Sequence, residues 1–216
     1  GGTKRRIDLG GKSVASAGHA TFHRTPDGPV FTVSCATCHP EGRDDGHVWS
    51  FDPIGPRRTQ SLLGGLADSA PFHWDGDLDT LDALLDEVFT FRMGNRSLAG
   101  SEKKALAAYI DALEPLPSYE RGQEIAAGRA AFEKADCHSC HGGERFTNFG
   151  AANVGTGGVF QVPSLVGLRY RAPYMHDGCA DTIADRFGPC GGLSHGDVSK
   201  LDDGEVSALV DYLTGL

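Results

Sequence analysis

Two pentapeptides constrain this chain more than anything else in it: Cys-Ala-Thr-Cys-His at 35–39 and Cys-His-Ser-Cys-His at 137–141. Two residues between the thiols let both sulfurs reach the vinyl groups of one haem from a single turn, and the adjacent His then aims its imidazole at the iron. A zinc site would gather four close ligands around one metal, and a thioredoxin-type redox turn would sit in a βαβ context. Neither pattern is in the sequence. The spacing therefore predicts two covalent haem c groups, attached through Cys35, Cys38, Cys137 and Cys140, with His39 and His141 as proximal iron ligands.

Shifted by 102 residues, the sequence lies on itself. Besides the Cys-x-x-Cys-His motifs, APFHWDG at 70–76 falls on APYMHDG at 172–178, and LAGSEKKALAAYIDAL at 98–113 matches LDDGEVSALVDYLTGL at 201–216. The break between halves is EPLPSYE, where Pro115 and Pro117 end a helix. This predicts two tandem domains, 1–116 and 117–216, related by internal duplication.

Helices follow from apolar spacing. Leu106, Tyr109, Ile110 and Leu113 recur at i, i+3, i+4 and i+7, as do Val206, Leu209, Val210 and Leu213. Ser101 is the expected N-cap of the first of these helices. Leu81, Leu84, Leu85 and Val88 make a third stripe, capped by Asp79 or Thr80. GRAAF at 128–132 reads as the end of a short helix leading into Cys137, with GHATF at 18–22 as its counterpart before Cys35. No stretch alternates as a strand should, so the predicted class is all-α, with cytochrome c-type domains.

Thirty glycines and a hydrophobic content of 39 % suit a loop-rich chain whose interior is filled largely by cofactor. The net charge of −9 argues against nucleic acid or an anionic membrane as partner. No apolar run is long enough to cross a bilayer. The opening Gly1-Gly2, with no signal-peptide pattern, is expected of a mature form or an excised domain. Cys179 and Cys190 remain outside the haem motifs. An even spare pair beside haem c fits an oxidising compartment and a disulfide.

Function turns on the other face of each iron. Met93, in TFRMGNR, is the expected sixth ligand of haem 1, with His47 and His73 as alternatives. His195 falls within a residue or two of the equivalent position and is expected to ligate haem 2, with Met175 as alternative. His19 and His23 are expected at the surface or a haem edge, and His138 exposed.

The paired W-D-G and H-D-G segments in PFHWDGDLDTL and APYMHDGCADTI resemble those of the diheme cytochrome c peroxidase and MauG-type oxidase superfamily, over most of the chain. The run at 34–62 is similar to a branch in which such a module ends a larger secreted protein. The resemblance implies a periplasmic or extracellular place and peroxide chemistry at haem 1. It also implies an inter-haem Trp, matched by Trp74, and a calcium ion between domains whose ligands the sequence does not assign. Where the peroxidases carry a Gln before W-D-G this chain has Phe72, and where they carry an acid–base Glu it has Asp82. Cys190 stands at their methionine ligand position. His176 is the counterpart of Trp74, and Arg57, Arg58, Arg169 and Arg171 flank the two motifs as expected partners of haem propionates.

The leading expectation is a diheme c-type cytochrome that transfers electrons between its haems and a redox partner protein. Its alternative is a peroxidase or MauG-like oxidase that reduces hydrogen peroxide at haem 1, with Asp82 as acid–base residue. A third is a haem-based docking or sensory module of a larger protein.

Overall fold

A computed structural model describes residues 16–25, 33–66, 68–117, 122–192 and 194–216. Gly1-Gly2 and residues 118–120 of the expected break lie outside them. Helices α1 (Ala17–Phe22), α2 (Cys35–Cys38), α3 (Leu81–Leu85) and α4 (Gly100–Asp111) belong to the first half, and α5 (Gly122–Lys134) and α6 (Asp203–Gly215) to the second. Thr80 caps α3, its hydroxyl accepting from the Ala83 amide at 3.1 Å. The stripe continues past Leu85 as a π-helical segment, Asp86–Arg92, that ends at Met93. The cap of α4 lies two residues before the expected Ser101: Ala99 is the N-cap residue, and its amide donates to Glu102 Oε2 at 2.9 Å. Asp202 and Glu205 close a reciprocal box at the start of α6, each side chain accepting from the other's amide.

Helix predominates among the described residues, but four short strands accompany it there. β1 (Val48–Phe51) pairs antiparallel with β2 (Gly55–Arg58), and β3 (Ala151–Ala152) with β4 (Phe160–Gln161). They lack the alternation that would announce them, because no strand of four residues or fewer here presents one consistently buried face.

Each half has its own core. Phe22, Leu85, Phe89, Met93, Leu98, Leu106 and Ile110 form one, where α1 packs on α4. Ala131, Phe132, Ile183, Leu209, Tyr212 and Leu213 form the other, where α5 packs on α6. Both crossings are made close by a glycine. A Cβ at Gly18 would collide with the Ala105 carbonyl and Tyr109, and one at Gly128 with the Ala208 carbonyl and Tyr212. The W-D-G and H-D-G segments also run in parallel. Phe72 bridges Leu78 as Tyr174 bridges Ala180, and His73 and Met175 both take left-handed backbone angles, φ 65° and 72°.

Candidate haem-binding site

A cavity of about 1120 Å³ runs between the halves. It exceeds the roughly 300–1,000 Å³ of ordinary ligand pockets. Cys35, Cys38 and His39 line it from one side, and Cys137, Cys140 and His141 from the other. The four thiols form no disulfide. Helix α2 presents the first pair and a 3₁₀ turn at Cys137–Ser139 the second.

The imidazoles of both motifs are oriented by backbone. His39 Nδ1 lies 3.2 Å from the Arg43 carbonyl and His141 Nδ1 3.1 Å from that of Phe146. Donation from Nδ1 leaves Nε2 free to bind iron. Burial holds both rings below the usual His range, in the neutral form a ligand needs.

His195 stands opposite His141. The ring centres are 6.2 Å apart and the planes are inclined by 33°. A metal about 2 Å from each Nε2 would separate two facing imidazole centres by about 6 Å. Burial first, then Arg186, pushes His195 down to about 3. The disulfide expected between Cys179 and Cys190 is present, with Cα atoms 5.8 Å apart, and ties the H-D-G turn to the loop that carries His195.

Met93 lines the cavity from the core of the first half and is 8 % exposed. His73 and Met175 also line it; His47 does not, but packs edge-on against Trp49, which does. His19 and His23 lie against each other with rings tilted by 32°, with His19 edge-on to Tyr109, and His138 is exposed.

Trp74 and His176 meet at the centre. Their rings lie 6.5 Å apart, edge to face, and His176 stacks on Phe160 at 3.9 Å. Arg58 links them through its backbone: its amide donates to the His176 carbonyl at 2.7 Å, and its carbonyl accepts from Trp74 Nε1 at 2.6 Å. The Arg58 side chain forms a buried ion pair with Asp44 at 2.7 Å. Its Nε, like that of Arg171, is buried with no partner among the described residues. Burial brings Arg171 down to about 10. Unsatisfied guanidinium N–H groups on a cavity wall call for an anion, and haem propionates supply carboxylates. With the thiols and the oriented imidazoles, these residues fit haem c.

Arg57 also lines the cavity, paired with Asp75 at 2.7 Å. Arg169 is not among the lining residues; its guanidinium lies over the Tyr170 ring. Asp82 is not among them either. Its side chain is 77 % exposed, 3.9 Å from Lys103 Nζ. Four lining cations, Arg92, Arg145, Arg186 and Lys200, were missed in the sequence. Arg145 donates to the Gly65 carbonyl across the halves, and Arg186 approaches Cys137.

Residues 123–213 match the family described as cytochrome C oxidase, cbb3-type, subunit III. Methylamine utilization protein MauG of Methylorubrum extorquens is 28 % identical over 212 residues, covering 68 % of this chain and 60 % of that protein. This chain thus spans less than two thirds of that curated relative. Among solved structures, hydrazine synthase of Kuenenia stuttgartiensis superposes with a TM-score of 0.82 at 20 % identity, covering 100 % of this chain and 99 % of that one. A MauG-like protein associated with microbial copper homeostasis gives 0.71 at 20 % identity, covering 92 % and 86 %. The diheme peroxidase BthA of Burkholderia thailandensis gives 0.66 at 17 % identity, covering 93 % and 84 %. The motifs, the cavity they line and these likenesses make the chain similar in sequence to MauG and in fold to the diheme peroxidases.

Proposed function

We propose that the chain is a diheme oxidoreductase of MauG or peroxidase type: two tandem domains, 1–116 and 117–216, born of a duplication, each holding one haem c. Bound haem would supply the one-electron chemistry, and the chain's own residues set what each site does. His141 and His195 would hold haem 2 between them, the site suited to storing an electron. His39 would hold haem 1, and Met93, which lines the same cavity, would be its second ligand before peroxide binds. Arg58 and Arg171 take propionates, and Trp74 lies between the sites. The asymmetry carries the reading: His141 faces a second imidazole, while His39 faces none among the described residues.

The likeness to MauG and BthA favours this over plain electron transfer, which the sequence alone put first. Electron transfer keeps one specific support, Phe72 where the peroxidases carry Gln. The partner is a one-electron redox protein and the small substrate hydrogen peroxide. The disulfide supports a place outside the cytoplasm. No described helix is long and apolar enough to cross a membrane. For the calcium ion the described residues offer no acidic cage. Their one cluster of donors is Asp177 with the disulfide-bonded Cys179 and Cys190.

Optical and EPR spectra of the oxidised and half-reduced holoprotein, with and without hydrogen peroxide, test the proposal. A high-spin signal that appears on half-reduction and is consumed by peroxide supports it. Two low-spin signals indifferent to peroxide return the chain to electron transfer.

A further inference from the structure

One polar side chain on the first-half wall of the cavity has no part in the reading above. His73 lines the cavity from the left-handed turn that follows Phe72. Its Nδ1 lies 3.0 Å from Asp77 Oδ1, and its Nε2 is buried with no partner among the described residues. Burial holds the ring below the usual His range, against the pull of Asp77 and Glu87 and with the help of Arg92. A neutral ring that donates from Nδ1 to a carboxylate carries a bare acceptor at Nε2. That arrangement suits an imidazole that binds a metal or moves a proton.

The same wall ends at Met93. The π-helical segment before it carries Arg92 and Glu87, paired with each other at 3.2 Å. The alternatives there are poor proton carriers. Phe72 has no polar atom, Asp82 points to solvent, and Asp75 is held by Arg57. His39 is spent on the iron.

Resting on the peroxidase reading, we propose that His73, positioned by Asp77, is the acid–base residue of haem 1 and acts on the face that Met93 vacates. Nε2 takes the proton of the iron-side oxygen of hydrogen peroxide and gives it to the far oxygen. The O–O bond breaks, and the far oxygen leaves as water with both bonding electrons. The near oxygen becomes a second water, taking two electrons from a one-electron donor protein by way of the haems and two further protons. This is the role the family resemblance assigns to position 82, moved to a residue nine positions earlier.

The test uses the half-reduced holoprotein with hydrogen peroxide, in wild type, His73→Phe and His73→Gln. Stopped-flow measurement of the peroxide reaction is expected to show a loss of about 10²- to 10⁴-fold in both variants. Wild type should slow as the pH is lowered and His73 takes up a proton under the influence of Asp77, Glu87 and Arg92, and the variants should lose that dependence. A second readout is the rate of cyanide binding to haem 1, since hydrogen cyanide must give up its proton on binding. It should fall in both variants while the haem 2 EPR signal stays as in wild type. If wild type reacts and either variant reacts as fast, His73 is not the base and the peroxidase reading survives. If wild type itself ignores peroxide, that reading falls and takes this proposal with it. Asp77→Asn serves where a His73 variant fails to retain haem: an intermediate loss supports the positioning role, and an unchanged rate overturns it.

Discussion

His195 faces His141 with ring centres 6.2 Å apart, the separation an iron between two imidazoles would impose. Removing one imidazole should therefore change haem 2 and leave haem 1 alone. In His195→Ala the ferric haem 2 is expected to lose its low-spin EPR signal and gain a high-spin one. His195→Met should remain low-spin and shift haem 2 to higher potential, within the ~0.8 V that axial ligands command. An unchanged EPR spectrum in the Ala variant would show that another residue holds the iron.

The ion pair of Arg58 with Asp44 is buried on both sides, at 5 % and 4 % side-chain exposure. The backbone of Arg58 also joins His176 to Trp74. Asp44→Ala would leave a buried guanidinium without its carboxylate, beside Arg171. Breaking such a pair from one side costs about 3–5 kcal/mol. Guanidinium chloride unfolding of the holoprotein measures it, and a loss below ~1 kcal/mol would mean that the propionates, rather than Asp44, neutralise Arg58.

Much of this site is legible in the sequence, because covalent attachment is a local matter. Two thiols and a His within five residues announce a haem wherever the chain goes. The helix stripes are equally local, and Thr80 and the final helices read correctly. What fails depends on the third dimension. The stripe at Leu81, Leu84, Leu85 and Val88 reads the same whether the chain continues as α or, as it does here, turns π after Leu85. Matching Asp82 to a motif gives a position and no direction; just inside the Thr80 cap, it faces solvent. Arg169 and Arg145 look equally eligible as charges. Loop paths alone bring Arg145 to the cavity and leave Arg169 outside it.

Acid should weaken the first half through Glu102. Arg96 first, then the Ala99 amide and Arg24, hold its carboxyl down to about 2, against an ordinary 4.5. Below pH 4.5 the unfolded chain takes up a proton that the folded chain refuses until about pH 2. The stabilisation is therefore complete above 4.5 and disappears as the pH falls through that window. Thermal melts of wild type and Glu102→Gln should differ most at pH 7 and converge toward pH 2. A gap that does not change with pH would remove the carboxylate from the account.

Gly128 decides how closely α5 approaches α6. In an open helix, Gly→Ala gains about 1 kcal/mol. Here the added Cβ would meet the Ala208 carbonyl and the Tyr212 Cβ, both fixed parts of the facing helix. Backbone must separate from backbone, so Gly128→Ala is expected to lose about 1–3 kcal/mol, the usual range for overpacking. Gly100, at the first position of α4 with nothing around its missing Cβ, is the control, and Gly100→Ala should lose nothing. Thermal unfolding of the two holoprotein variants separates propensity from packing. If both move alike, helix propensity governs and the close approach at Gly128 contributes nothing to stability.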